Sequence, residues 1–209
     1  MSQKTSARPT GTVFIVDDEE AVRDSVALLL RSVGLRTRSY PDASVFLEEY
    51  DGQEAGCLVL DVRMPRLSGL ELQQELNRRG WTIPVVFITG HGDVPMAVEA
   101  MRAGAVDFLQ KPFKDDELIR RVQKALEQDA RLREQLAQRN LIRSRYETLT
   151  PRERDIAERL AAGAANKAVA IDLGLSERTV ELHRANIMRK LEARGLAQLV
   201  QMLIALKEG

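Results

Sequence analysis

The segment VFIVDDEE, residues 13–20, indicates the fold of the first part of the chain, because four β-branched or aromatic side chains run directly into four carboxylates. A run that is apolar at every position is typical of a strand covered on both faces of a sheet. Neighbouring carboxylates repel one another, and burying even one is costly without a compensating cation. The acidic cluster is therefore either a solvated loop or the site of a metal ion.

Outward from this segment, residues 12–126 repeat the order of a short strand followed by an amphipathic helix. The predicted strands are residues 13–16, 35–40, 57–60, 85–88 and 106–110. The predicted helices are residues 21–33, 43–49, 70–78 and 96–103, with a last one from 115 to at least 126. Apolar strands that alternate with helices are typical of a parallel sheet covered on both faces.

Ligands of such a sheet bind outside the carboxyl ends of its strands. The residues at these ends are Asp17, Asp18, Asp61, Thr89 and Lys111. Carboxylates favour a hard cation such as Mg²⁺. The whole set suits phosphoryl transfer, in which a carboxylate attacks, an ammonium neutralises phosphoryl oxygens and a hydroxyl contacts the product. The acidic cluster is therefore predicted to be a cation site.

Asp61 is the predicted nucleophile, because it stands alone at the end of an apolar strand. The adjacent Asp17 and Asp18 suit paired metal contacts better than attack. A main-chain carbonyl between Asp61 and Pro65 could complete the shell of the metal ion.

The strand ends and their neighbours form an ordered set: Asp17 with Asp18; Asp61 with Met64, Pro65 and Gly69; Thr89 with Gly90; and Lys111 with Pro112. This set resembles the receiver domain of bacterial two-component response regulators. The resemblance implies a flavodoxin-like (βα)₅ fold over residues 12–126 and phosphorylation of Asp61 by a sensor histidine kinase. It also implies a phosphoacceptor that catalyses its own phosphorylation and dephosphorylation, and not an enzyme in the usual sense.

The resemblance also implies a role for each residue of the set. The implied holders of Mg²⁺ (or Mn²⁺) are Asp18, Asp61, the main-chain carbonyl of Arg63 and, through water, Asp17. Thr89 and Lys111 would contact the phosphoryl group. Phe108 stands where the family has an aromatic switch residue that turns inward as Thr89 moves. The bond between Lys111 and Pro112 is often cis in the family, a rare state even before proline.

Each of these residues also has a simpler interpretation when taken alone. An acidic pair after a strand is commonly a solvated loop, Asp61 could begin a helix, and Lys111 could be an ordinary surface residue. Their joint placement at the strand ends favours the site. His91, beside the predicted site, is expected to be exposed and without a role, and Cys57 is expected to serve packing.

Residues 127–146 are predicted to form a helical linker, since no glycine or proline occurs between residues 115 and 145. Apolar residues continue at helical spacing as far as Leu132 and Leu136, but Asp129 interrupts the stripe. Two interpretations remain open for this segment: a coiled-coil dimer, or a solvated helix with one packed face.

Residues 147–209 read as four short helices with a helix-turn-helix among them. The run TPRE, residues 150–153, is a capping box with proline at the first helical position. Gly163 and Gly174 end the first two helices, and Ser176 caps a third that reaches to about Glu192. The last helix is predicted over residues 196–206.

The third of these helices has two different faces. Val180, Ile187 and Leu191 fall within about 40° of one another at roughly 100° per residue, which predicts the buried stripe. The opposite face carries Arg178, Leu182, Ala185 and Arg189. Arginines there can reach phosphates or guanine edges, and the apolar side chains can meet thymine methyls. Seen by itself, this face could equally be a solvated surface.

A wider set of residues supports DNA binding: LTPRE (residues 149–153), Asn166 with Lys167, Thr179 with Val180, His183, Asn186 with Ile187, and Lys190 with Leu191. This set resembles the LuxR-type DNA-binding domain, and the whole chain resembles NarL/FixJ-type response regulators. The stretch TVELHRAN, residues 179–186, is most similar to FixJ. The predicted DNA contacts are Lys167, Arg178, Thr179, Glu181, Leu182, His183, Arg184, Ala185, Asn186, Arg189 and Lys190.

The sequence departs from the LuxR-type pattern at Ala165, Val169, Glu181 and Gly195. None of these changes is expected to break the fold. Glu181, where lysine is common, could accept a hydrogen bond from a cytosine amino group or weaken binding to the DNA backbone by repulsion.

Composition predicts no partner, because 31 basic and 31 acidic residues cancel. One cysteine, the lack of a long apolar run and the lack of a signal-peptide core lead us to expect a soluble cytoplasmic protein without a membrane segment. The resemblance implies a sensor histidine kinase, double-stranded DNA and RNA polymerase as partners. It also implies a homodimer that depends on phosphorylation.

Two other classes of protein are weighed against this interpretation. A Mg²⁺-dependent phosphohydrolase would also pass through an aspartyl phosphate, but it needs a general acid just after the nucleophile, where the chain has Val62, Arg63 and Met64. A signalling adaptor would use its C-terminal helices to bind protein, which the arginines of the outer face disfavour.

Overall fold

The structure is a computed structural model that describes residues 11–90 and 94–207. The chain divides into two compact units, one ending at Arg133 and the next beginning at Glu134. The expectation for His91 lies outside the described residues. In the part of the chain that is described, no helix has the length and apolar character needed to cross a membrane.

The first unit is built on a five-stranded parallel sheet with strand order β2-β1-β3-β4-β5, so the predicted (βα)₅ receiver fold is confirmed. Its strands are β1 Thr12–Val16, β2 Arg36–Tyr40, β3 Gly56–Asp61, β4 Val85–Thr89 and β5 Asp107–Gln110. Its helices are α1 Glu20–Ser32, α2 Ala43–Glu49, α3 Gly69–Arg78, α4 Val94–Arg102 and α5 Asp115–Glu147, the last of which continues into the second unit. The strand order reverses direction at β1, so the gap between β1 and β3 is the topological switch point at which such sheets bind ligands.

Two apolar clusters cover the two faces of the sheet. On one face, Phe14 and Leu58 pack with residues of α2 and α3. On the other face, Val13 and Cys57 pack with residues of α1 and α5. Successive side chains of a strand point to opposite faces, which is why β1 and β3 are apolar at nearly every position. Cys57 is fully buried, as expected of a packing residue, and burial raises the pKa of its thiol.

Asp129 is where the structure corrects the interpretation of the linker. This residue does not end the packed stripe of α5; it is 2% exposed and accepts a hydrogen bond of 2.9 Å from the backbone N–H of Gly56, the first residue of β3. The N–H of an entering strand needs a partner when it is buried. A carboxylate therefore replaces a leucine at this position of the helix, because it meets a buried donor 73 residues away in the chain.

Arg133 completes a clasp between α5 and the loop before β3, formed by Asp129, Arg133 and the carbonyls of Gln53 and Glu54. Its Nε donates to both oxygens of Asp129, at 3.0 and 2.8 Å. Its two terminal nitrogens donate to the carbonyls of Gln53 at 2.6 Å and Glu54 at 2.8 Å. The planar guanidinium thus satisfies a buried carboxylate and two loop carbonyls at once.

The second unit contains the four predicted helices: α6 Pro151–Ala161, α7 Asn166–Leu173, α8 Glu177–Leu191 and α9 Leu196–Lys207. The capping box between Thr150 and Glu153 is present, and Ser176 caps α8. Gly174 ends α7 in the left-handed conformation, with φ of 64°. Helix α8 ends one residue before the predicted limit, because Glu192 is itself left-handed with φ of 53°.

Glu153 and Lys190 form a largely buried ion pair inside this unit. The Nζ of Lys190 lies 2.6 Å from Oε2 of Glu153 and donates to the carbonyl of Thr148 at 3.2 Å. Burial raises the pKa of Glu153. The hydrogen bonds from Lys190 and from the backbone N–H of Thr150 lower this pKa, and together they outweigh burial, so the net shift is downward. The ammonium of Lys190, a predicted DNA contact, is thus held by groups of its own domain.

We expect Arg133→Met to open the clasp while leaving the sheet folded. Amide hydrogen exchange should become about tenfold faster in residues 51–56, which corresponds to about 1.4 kcal/mol of local stability, the size expected for charge-assisted hydrogen bonds. Arg131→Met, on the same helix but exposed, is the matched control and should leave these amides unchanged. Equal exchange in the two variants would contradict the clasp.

We also expect Lys190→Met to destabilise the second unit by about 1–3 kcal/mol, because it leaves Glu153 buried without its cation. Arg189→Met, one residue away and exposed, should change the stability little.

The stabilisation by this ion pair should also depend on pH. Because the folded pKa of Glu153 lies below its ordinary value, the stabilisation is present above the unfolded pKa and is lost as pH falls through the folded pKa. Thermal unfolding at neutral and acidic pH measures the effect of the mutation and the effect of pH. If the ion pair between Glu153 and Lys190 stabilised nothing, Lys190→Met and Arg189→Met would unfold at the same temperature.

Candidate functional site

The carboxyl ends of three neighbouring strands bring polar groups into a buried position. Asp17 directly follows β1, Asp61 is the last residue of β3 and Thr89 is the last residue of β4. These three residues are 0%, 6% and 1% exposed, respectively. Each belongs to or follows a strand whose other residues are apolar, so the backbone of the sheet aims polar groups at one edge.

Lys111 joins the two buried carboxylates. Its Nζ lies 2.7 Å from Oδ2 of Asp17 and 3.0 Å from Oδ1 of Asp61. The remaining oxygens accept backbone hydrogen bonds, at Asp17 from Glu19 and at Asp61 from Arg63, with distances of 2.9 and 2.7 Å. The peptide bond between Lys111 and Pro112 is cis, as the resemblance implied.

The charges of this cluster depend on one another. Burial raises the pKa of Asp61, and the nearby Asp17 raises it too, while Lys111 and the backbone N–H of Arg63 lower it only in part. Burial lowers the pKa of Lys111, but its hydrogen bonds to Asp17 and Asp61 outweigh burial, so the net shift is upward. The ammonium therefore stays charged, and the site has two buried carboxylates that share one cation.

Glycine at position 69 lets the loop after β3 fold back over Asp61. The N–H of Gly69 donates to the carbonyl of Val62 at 2.9 Å. A Cβ at this position would lie 2.2 Å from the carbonyl oxygen of Asp61, a backbone atom that has no room to move. The glycine of the sequence set is therefore required by a close backbone approach next to the predicted nucleophile.

Asp18 and Arg63 lie at the rim of the cluster, where both are exposed. In the described part of the chain, no group of three or more His, Cys, Asp or Glu side chains is arranged to hold a metal ion. The fit to Mg²⁺ rests on the chemistry of the donors: carboxylate oxygens of Asp17, Asp18 and Asp61, and a main-chain carbonyl at Arg63. These are the hard oxygen ligands that Mg²⁺ takes, and three carboxylates exceed the single ammonium in charge.

Arg23 was not among the predicted site residues, although it contacts the same loop. One of its terminal nitrogens donates to the carbonyls of Asp17 and Asp18, at 2.7 and 3.0 Å. The only signal for it in the sequence is a basic residue shortly after the acidic run, at the start of a helix.

Phe108 lies on β5, half-buried, with its ring centroid 6.3 Å from that of Phe87 on β4. Since β4 ends at Thr89, the aromatic residue and the hydroxyl belong to adjacent strands of the same sheet.

In the second unit, α8 separates its faces as predicted from the sequence. Val180, Ile187 and Leu191 are buried in the core. The outer face is open, with Leu182 63% exposed. The other exposed residues among the predicted DNA contacts are Arg178, Glu181, Ala185, Asn186 and Arg189 on this helix and Lys167 on α7.

Four of the predicted DNA contacts are half-buried, namely Thr179, His183, Arg184 and Lys190. The hydroxyl of Thr179 hydrogen-bonds that of Ser176 at 2.7 Å, and Arg184 donates to the side chain of Asn166 at 3.4 Å. Lys190 is the one whose ammonium is engaged in a buried pair. The exposed residues of α8 are therefore the part of the predicted set that is most open to a ligand.

Comparison with known proteins gives two family matches and close relatives over nearly the whole chain. The family described as "Response regulator receiver domain" matches residues 13–123, and "Bacterial regulatory proteins, luxR family" matches residues 147–203. Nodulation protein W of Bradyrhizobium diazoefficiens is 48% identical over 200 residues, which are 95% of this chain and 87% of that protein. Transcriptional regulatory protein FixJ of Azorhizobium caulinodans is 48% identical over 192 residues, covering 92% of this chain and 91% of FixJ.

Among solved structures, that of the response regulator StyR is similar with a TM-score of 0.84 and 44% identity, covering 92% of this chain and 98% of StyR. The chain belongs to the two-component response regulators that join a receiver domain to a LuxR-type DNA-binding domain and regulate transcription.

Proposed function

We propose that this response regulator accepts a phosphoryl group on Asp61 from a sensor histidine kinase. The observation that carries the proposal is the buried pair of carboxylates, Asp17 and Asp61, that share the ammonium of Lys111 at the carboxyl edge of the sheet. Asp61 has the more suitable position for attack, because it ends the central strand β3 and lies at the switch point of the sheet.

In the transfer step, a carboxylate oxygen of Asp61 attacks the phosphorus of a phosphohistidine. The P–N bond breaks, a P–O bond forms, and the electron pair returns to the imidazole. Lys111 exchanges its contact with Asp61 for one with a phosphoryl oxygen, and the hydroxyl of Thr89 donates to another. Asp18, Asp61 and the main-chain carbonyl of Arg63, with Asp17 in support, would hold Mg²⁺ (or Mn²⁺), which would supply compensating positive charge. Water reverses the modification by attack on the acyl phosphate, so the chain catalyses both steps on itself.

We propose that the new charge is transmitted through Thr89 and Phe108. As Thr89 moves towards the phosphoryl group, Phe108 fills the space beside it, and the surface near α4 and β5 changes. The result is a homodimer, or release of the DNA-binding domain, followed by binding of two half-sites about one helical turn apart. A near-complete switch requires about 5.5 kcal/mol of differential stabilisation.

The domain assignment that accompanies this function is a receiver over residues 12–126, a helical linker over 127–146 and a DNA-binding domain over 147–209. The partners we propose are a sensor histidine kinase, double-stranded DNA and RNA polymerase, and the location is the cytoplasm.

The residues favour neither of the rival classes, the phosphohydrolase and the signalling adaptor. A phosphohydrolase needs a general acid just after Asp61, and residues 62–64 contain none. An adaptor has no need of the exposed arginines on α8, which suit contacts with DNA phosphates.

With Mg²⁺ and a small acyl phosphate, the wild-type chain should gain the mass of one phosphoryl group. Asp61→Asn should gain none, because an amide is a poor nucleophile. Asp155→Asn, the same substitution at an exposed position of α6, is the matched control and should behave as wild type. Phosphorylation of Asp61→Asn to the wild-type extent would disprove the assignment of the acceptor.

The native mass of the same samples tests the output. We expect phosphorylated wild type to have the native mass of a dimer, because dimerisation would further stabilise the phosphorylated conformation. Phosphorylation without a rise in native mass would contradict the dimer and leave release of the DNA-binding domain as the switch.

Binding to duplex DNA should weaken steeply with salt, since each phosphate neutralised contributes a slope of about −0.9 in log K against log salt. Arg178→Ala and Arg189→Ala should each reduce that slope by about one if they contact phosphates, and relax sequence preference if they contact guanine. Arg120→Ala, exposed on the receiver, is the control with the same change of charge. Affinity that is independent of salt would favour the adaptor instead.

A further inference from the structure

The loop between β1 and α1 is held by an unusual pair of contacts. Glu19 occupies the N-cap position of α1, yet its side chain makes no capping hydrogen bond. The loop is instead fixed by the carboxylate of Asp17, which accepts from the N–H of Glu19, and by Arg23 from within the helix. A helix start without its usual side-chain cap depends on such substitutes for a defined backbone.

Arg23 holds two successive peptide groups at once. Its terminal nitrogen lies 2.7 Å from the carbonyl oxygen of Asp17 and 3.0 Å from that of Asp18. The side chain is half-buried, and its bond to the carbonyl of Asp17 is partly shielded from water, while its bond to the carbonyl of Asp18 is exposed. These two carbonyls belong to the peptide planes on either side of the Cα of Asp18, so holding both restricts the direction in which the side chain of Asp18 leaves the backbone.

The three acids of the site differ in how their carboxylates are held. Asp17 and Asp61 each use both oxygens in hydrogen bonds, with Lys111 as their common donor. Asp18 is exposed, and within residues 11–90 and 94–207 its carboxylate has no hydrogen-bond or ion-pair partner. The direction of Asp18 therefore depends on its backbone alone, which is the part that Arg23 fixes.

We infer that Arg23 is a positioning residue for the Mg²⁺ site: by bridging the carbonyls of Asp17 and Asp18, it aims the carboxylate of Asp18 at the metal ion. This inference rests on the proposed function of the receiver. Arg23 itself touches neither the metal nor the phosphoryl group. Arg23 orders the loop before the metal ion binds, so that no binding energy is used to order it. Groups that surround the direct ligands of a metal ion commonly act in this way.

A purely electrostatic role for Arg23 makes the opposite prediction. A guanidinium beside a cation site repels the cation, so its removal would tighten Mg²⁺ binding. Positioning predicts weaker binding on removal, because the loop is then ordered at the expense of binding energy. The sign of the change separates the two roles.

The test is calorimetric titration of the full chain with Mg²⁺ in the absence of a phosphoryl donor, for wild type, Arg23→Met and Arg23→Lys. We expect Arg23→Met to raise the Mg²⁺ dissociation constant by about tenfold, the usual lower size of such an effect. Arg23→Lys keeps the charge but loses the planar fork, and it should also bind more weakly than wild type. Arg31→Met, on the same helix and with its guanidinium bonded to Thr37, is the matched control.

Phosphorylation by a small acyl phosphate supplies a second readout. The Mg²⁺ concentration for half-maximal rate should rise in both Arg23 variants, while the rate at saturating Mg²⁺ stays within about twofold of wild type, since a positioned and a metal-ordered loop are alike once Mg²⁺ is bound. Thermal unfolding identifies any variant that fails to fold. If one of the two Arg23 variants fails to fold, the Mg²⁺ affinity of the other tests the positioning role.

Binding of Mg²⁺ by a folded Arg23 variant as tight as or tighter than that of wild type would overturn the inference. The proposed function fails differently: wild type itself would then bind no Mg²⁺ and accept no phosphoryl group on Asp61. The two failures are therefore distinguishable in one set of samples.

Discussion

The ammonium of Lys111, shared between the buried carboxylates of Asp17 and Asp61, is the interaction on which the receiver depends. Two carboxylates at the end of apolar strands are tolerable only with a cation beside them, and breaking such a buried pair costs about 3–5 kcal/mol. The same arrangement makes the site reactive, since burial raises the pKa of Asp61 and leaves its charge poorly compensated. This edge of the sheet therefore favours the approach of further positive charge.

Strand β3 connects this edge to the opposite one. It begins at Gly56, whose N–H is held by Asp129 in the clasp, and it ends at Asp61. At roughly 3.3 Å per residue, the five steps between its six residues place the two points about 16 Å apart. The amino end of the strand is thus tied to α5 and the carboxyl end to the ammonium of Lys111. Any shift of β3 along its axis would be resisted at both ends by charged hydrogen bonds.

The second unit keeps its packing residues and the residues proposed to contact DNA on different sides of one helix. On α8, the core stripe and Lys190 serve packing and the ion pair with Glu153, while Arg178, Leu182 and Arg189 are left to solvent. A surface that binds DNA must keep its cations free of internal partners, because a cation paired inside the domain would have to be released first. This division gives adjacent residues different surroundings: Arg189 is exposed, and Lys190 is paired with Glu153.

The sequence by itself determined the strands, the helices and the residues at the strand ends. Each follows from local rules: apolar runs, helical periodicity, capping boxes and glycines, which act within a few residues of chain. Only the tertiary structure decided the meaning of Asp129, Lys190 and Arg23. Asp129 looks like a break in a stripe until the N–H of Gly56 arrives from 73 residues away, and the ion pair of Lys190 appears only when Glu153 meets it from 37 residues away. A charged side chain has the same pattern in sequence whether it faces water or a buried partner, so its role is set by the group that the fold brings to it.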